Sequence, residues 1–185
     1  MHKILKVVLA FFGVILIIGF AGFSLIIFDV PGAFATGTNQ LPNASAIGQA
    51  IVVYDPGLTS KAKDAASQIG FDIQDSGYEV TLAGVKSSAA ADLSSYDVVV
   101  VGGPIYGGKP ATSIQDYLST FTPGENATVG IFGYGSVQTA GADAVQQEVA
   151  PLPDGSTIDL AATAKVYSNG DLKIQCQDFV TQLLP

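Results

Sequence analysis

Five short apolar runs alternate with four stretches of helical spacing, and this alternation limits the chain's choice of fold more than any other feature. Ala50-Ile51-Val52-Val53-Tyr54 is continuously apolar and mostly β-branched, as expected of a strand buried on both faces. Behind it, Ala62, Ala65, Ala66, Ile69 and Ile73 form one helical stripe, with Gly77 a suitable stop. Tyr78 to Leu82 reads as the next strand. Asp97-Val98-Val99-Val100-Val101-Gly102 is a second long buried run, followed by a helical stripe through Ile114, Tyr117, Leu118 and Phe121. Thr128 to Tyr134 predicts a fourth strand, and Ala142, Val145 and Val149 a looser helix. Ala161 to Tyr167 predicts a fifth strand, and Leu172, Cys176, Phe179, Val180 and Leu183 a last helix. Uniformly apolar strands alternating with helices imply right-handed βαβ units and a parallel sheet covered on both sides.

In such sheets ligands bind beyond the carboxyl ends of the strands, where the winding direction reverses. That rule selects Asp55 to Ser60, Gly103 to Lys109 and Gly133 to Ala140. The first loop opens a helix, so its N–H groups and the helix dipole can receive an anion, with the Thr59 and Ser60 hydroxyls as added donors. The plainer account is a Pro56-Gly57 turn followed by an N-cap at Thr59 or Ser60. The second loop, Gly102-Gly103-Pro104-Ile105-Tyr106-Gly107-Gly108, joins glycines that let backbone approach a flat ligand to a ring able to stack on it. The third sets Tyr134 between Gly133 and Gly135.

Ahead of this domain, Val7 to Phe28 is an uncharged run of 22 residues, roughly 33 Å long as a helix against a hydrocarbon core of about 30 Å. The run predicts a single-pass membrane helix. A cleaved signal peptide, with Lys3 and Lys6 in front and Ala33-Phe34-Ala35 behind, is the competing account, but secretory apolar cores are typically about 7–15 residues long. With Lys3 and Lys6 before the run, and no further lysine until Lys61, the positive-inside rule keeps the N-terminus inside and places the domain outside the cytoplasm. Asn43-Ala44-Ser45 and Asn126-Ala127-Thr128 match the glycosylation acceptor pattern and agree with that side. The sequence from Pro31 to Gly48 is rich in Gly, Ala, Thr, Asn and Pro and has no apolar period, the pattern of a flexible tether. The expected organisation is therefore a membrane anchor over 1–30, a flexible linker over 31–48 and an α/β domain over 49–185.

Composition closes several function classes. The net charge is −8, and all eight basic residues are lysines, so there is no basic field for DNA or RNA phosphates. The sole cysteine, Cys176, excludes an intramolecular disulfide, and the sole histidine, His2, lies outside the domain. Zinc-enzyme and serine-hydrolase chemistry lack their usual ligands and base. Cys176, at an apolar helix position, reads as a buried structural thiol. Lys61 and Lys63 read as solvated surface charges, and Lys109 lies beside the tyrosine loop.

The three loops, in this order, resemble those of the flavodoxin family over roughly Ala50 to Leu184. The best-matching segment, Tyr96-Asp97-Val98-Val99-Val100-Val101-Gly102-Gly103-Pro104-Ile105-Tyr106-Gly107-Gly108, is similar to the family's strand ending in Gly-Ser-Pro-Ile-Tyr. The resemblance implies a flavodoxin-like three-layer sandwich around a five-stranded parallel sheet of order 2-1-3-4-5, binding FMN noncovalently. It would place Gly57, Leu58, Thr59 and Ser60 at the FMN phosphate. Pro104, Ile105, Tyr106 and Gly107 would flank the isoalloxazine on one side, and Tyr134 and Gly135 on the other. One departure stands out: Pro56 replaces a hydroxyl residue of the family's phosphate loop and supplies no N–H, and Asp55 would set a carboxylate beside the phosphate. The function implied is electron transfer or flavin-dependent reduction with a redox partner protein docking on the acidic surface. Homo-oligomers are expected of the family's oxidoreductases. The alternative is a flavin-free module serving as a membrane-tethered binding or interaction domain.

Overall fold

The computed structural model describes residues 2–27, 30–139, 141–153 and 155–185. Phe28 and Asp29, at the end of the apolar run, and Ala140, at the end of the third loop, lie outside the described residues. Helices α1 (His2–Ile27) and α2 (Val30–Ala33) precede strand β1 (Thr38–Leu41). There follow β2 (Gln49–Tyr54), α3 (Lys61–Asp75), β3 (Glu79–Gly84), β4 (Val98–Tyr106) and β5 (Lys109–Pro110). The chain ends with α4 (Thr112–Ser119), β6 (Thr128–Gly135), α5 (Ala142–Val149), β7 (Ala162–Tyr167) and α6 (Leu172–Leu183).

The parallel strands stand in the order β3-β2-β4-β6-β7, which is the 2-1-3-4-5 winding expected from sequence. The expected total of five strands is corrected, because among the described residues the sheet has seven. Strand β1 lies in the segment expected to be a tether. It pairs antiparallel with β3, Thr38 opposite Ala83 and Leu41 opposite Val80. Its burial is confined to Leu41, and the Thr81 hydroxyl donates to Gln40 Oε1 at 3.1 Å. An edge strand of this kind draws its backbone bonds from the free side of β3 and needs no apolar period, so the sequence pattern does not reveal it. Strand β5 doubles back on the end of β4, Ile105 opposite Pro110 and Tyr106 opposite Lys109. The turn between them is Gly107-Gly108, with φ of 59° and 80°. Positive φ at both central residues is the requirement of a two-residue hairpin turn, which glycine meets without strain.

Two apolar layers clothe the sheet. On one face, Ile69 and Ile73 of α3 and Phe179, Val180 and Leu183 of α6 pack on Val52, Val100 and Phe132. On the other, Ile114 and Leu118 of α4 and Val149 of α5 pack on Ile51, Val53, Val99, Val101 and Ile131. Alternation along the strands assigns Pro104, Tyr106 and Tyr134 to the α3–α6 face with Phe132, and Ile105 and Lys165 to the α4–α5 face.

The single-pass anchor expected from sequence, and with it the placement of the domain outside the cytoplasm, is corrected. Among the described residues no helix is long and apolar enough to cross a membrane.

Candidate ligand crevice

The parallel winding brings the three loops to one edge of the sheet, and hydrogen bonds fasten them to one another. Pro104 is paired with Tyr134 across β4 and β6, so the second and third loops leave the sheet side by side. Tyr106, two residues beyond Pro104, turns its hydroxyl toward the first loop, where it accepts from Leu58 N at 3.2 Å. Tyr134 is half-buried against the α3–α6 core. Ile105 points the other way, into the α4–α5 core, and stands apart from the two tyrosines. Gly107 sits at the open tip of the hairpin, where a β-carbon would meet nothing within 4 Å.

Asp55 dominates the first loop. Its backbone N–H donates to Gly102 O at 3.0 Å, continuing the β2–β4 ladder, and its side chain is wholly buried. The carboxylate accepts from Gly57 N at 2.8 Å through Oδ1 and from the Ser113 hydroxyl at 2.7 Å through Oδ2. Ser113 lies in the first turn of α4, where the helix dipole also favours a negative charge. Gly32 of α2 lies so close over this pair that a β-carbon there would collide with Ser113 Oγ and Asp55 Oδ2. The rest of the loop is also turned inward, since Ser60 N donates to Gly57 O at 3.4 Å. Ser60, before α3, has a left-handed φ of 56° and makes no capping bond through its side chain. Thr59 is exposed.

Beneath the third loop lies a polar cluster that the sequence patterns did not reveal. Lys165 of β7 is buried and pairs with Glu148 of α5, Nζ to Oε1 at 2.5 Å. Lys165 also donates to Thr139 Oγ1 at 3.0 Å, and the Thr139 hydroxyl donates to Glu148. The Tyr167 hydroxyl accepts from Thr139 N at 3.1 Å and donates to Thr139 O at 3.3 Å. Burial pushes the Glu148 carboxyl upward, but the hydrogen bonds from Lys165 and Thr139 and the lysine charge outweigh it and hold the group below its ordinary range. The third loop is thereby clamped to α5 and β7. A lysine within the strand run Ala162-Thr163-Ala164-Lys165-Val166 was the one available signal.

Cys176 is remote from the crevice. It is buried under α3, and its thiol is pushed up to about 12 by burial, reinforced by the charge of Asp72. Lys61 is exposed and pairs with Asp64 at 3.2 Å.

No protein-family model and no curated protein matches the sequence. Solved structures do match the fold. A flavodoxin of Streptococcus pneumoniae TIGR4 is 16% identical, with a TM-score of 0.53 over 73% of this chain and 96% of its own. The two-electron reduced flavodoxin of Megasphaera elsdenii is 22% identical, with a TM-score of 0.53 over 72% of this chain and 97% of its own. Rubredoxin oxygen:oxidoreductase of Desulfovibrio gigas is 19% identical with a TM-score of 0.50, and the match spans 75% of this chain but 37% of that one. The fold is flavodoxin-like.

If FMN were held as the resemblance implies, its ring would meet the second and third loops and its phosphate the first. The ring side would suit a flat ligand: Pro104 and two tyrosines share one face of neighbouring strands, and the hairpin tip beyond them is open. The phosphate side would not. Pro56 has no N–H, while the N–H groups of Gly57, Leu58 and Ser60 are taken by Asp55, Tyr106 and Gly57 O. A phosphate entering the loop would also face the Asp55 carboxylate, with repulsion of about 4 kcal/mol per pair of unit charges 4 Å apart at an effective dielectric of 20.

Proposed function

We propose that this chain is a flavin-binding electron-transfer module that holds an isoalloxazine ring in the crevice between the β4–β5 hairpin and the loop after β6. The observation that carries the reading is the pairing of Pro104 with Tyr134, with Tyr106 two residues further on the same face. That register supports the reading because it puts Tyr106 and Tyr134 on one face of neighbouring strands at the carboxyl edge of the sheet, where doubly wound folds bind their ligands. When bound, a flavin supplies the one- and two-electron chemistry. The protein's part is to stack the ring, to exclude water from its faces and to set its potential. A chain of net charge −8 disfavours an anionic reduced ring and offers an acidic surface to a cationic redox partner.

A second reading, a flavin-free binding or interaction module, is favoured by the inward-turned first loop. Titration of the full chain with riboflavin, FMN and lumiflavin, followed by flavin fluorescence, separates the two. The flavin reading expects quenching by at least one of the three, weakened roughly tenfold in Tyr106→Ala, the scale of about 1.4 kcal/mol for a lost aromatic contact. Absence of binding by all three below roughly 100 μM, about −5.5 kcal/mol, would overturn it in favour of the second reading.

A further inference from the structure

Resting on the flavin reading, we infer that the first loop carries its anion built in, as the Asp55 carboxylate, and that the crevice takes a flavin lacking the 5′-phosphate in preference to FMN. Asp55 is no surface side chain that can swing aside. It is wholly buried, held by Gly57 N at 2.8 Å and the Ser113 hydroxyl at 2.7 Å, and covered by Gly32. The donors a phosphate needs are already spent, Gly57 N on this carboxylate and Leu58 N on Tyr106. Lys61, the lysine nearest the loop in sequence, is paired with Asp64, and the chain contains no arginine to offset a second anion. A dianionic ligand would have to displace a buried carboxylate from Gly57 N and the Ser113 hydroxyl or lie against its like charge. A neutral ribityl chain meets no such penalty, because its hydroxyls can exchange hydrogen bonds with those of Thr59 and Ser60 in either direction.

The test compares riboflavin and FMN by fluorescence titration of the full chain, in the parent and in Asp55→Ser and Asp55→Asn. The parent is expected to bind riboflavin at least about tenfold more tightly than FMN, a gap that narrows as salt is added. Both variants, checked for native circular dichroism, are expected to gain at least roughly tenfold in FMN affinity relative to riboflavin. Binding of FMN by the parent as tightly as riboflavin, or more tightly, overturns the inference and leaves the flavin reading standing. An FMN affinity unchanged relative to riboflavin in two folded variants likewise overturns it. Failure of the parent and both variants to bind either flavin overturns the inference and the flavin reading together.

Discussion

Asp55 shows how one residue can decide what a loop does. Its position after β2 follows from the strand, but its burial depends on Ser113, 58 residues away, and on Gly32 in a short helix ahead of the sheet. Removing the carboxylate takes away the acceptor of Gly57 N and of the Ser113 hydroxyl, and bonds to a charged acceptor are worth about 1.5–3 kcal/mol each. Asp55→Ala should therefore lower the unfolding free energy by about 2–3 kcal/mol in urea titrations, and Asp55→Asn by less, since its amide oxygen still accepts. Equal stability of Asp55→Ala and the parent would show that the carboxylate does not staple the loop.

At the scale of elements, the clamp between α5, β7 and the third loop turns on one ion pair. Breaking a buried pair by removing one partner typically costs about 3–5 kcal/mol, whereas replacing both by apolar groups is often neutral. Glu148→Ala should cost about 3 kcal/mol in urea titrations, and Glu148→Leu combined with Lys165→Met should recover most of the loss. The Glu148 carboxyl is held below its ordinary value of 4.5, so its contribution is complete above that value and disappears as pH falls through the lower folded-state pKa. Thermal stability should therefore drop more steeply with acid in the parent than in Glu148→Gln. Strand β1 makes a separate claim. Leu41 is buried beside Gly70 and Leu82, so Leu41→Ala should cost about 2 kcal/mol, the lower end for such truncations, whereas a free tether would register nothing.

These elements also show what the sequence makes legible. All five parallel strands and all four sheet-covering helices announce themselves through continuous β-branched runs and 3.6-residue stripes, because burial on two faces or one dictates residue type. β1 and β5 do not, since an edge strand and a two-residue return are defined by backbone pairing rather than by apolar content. The crevice divides in the same way. The loops are placed by topology and Tyr106 and Tyr134 by composition, but the bond from Leu58 N to Tyr106, the Asp55–Ser113 staple and the Lys165–Glu148 pair join residues far apart in sequence. No spacing rule encodes such contacts.

For the whole molecule, the proposed function puts the working surface at the carboxyl edge of the sheet, in the setting of an acidic exterior. Two-dimensional 1H–15N spectra of the full chain, recorded as riboflavin is added, test this most directly. The predicted result is a set of shifted amides confined to the three loops, strongest at Tyr106, Gly107, Gly108, Tyr134 and Gly135. Shifts gathered instead in the cleft of about 470 Å³ bounded by Val85, Leu93, Tyr117 and Phe121, or no shifts at all, would contradict it.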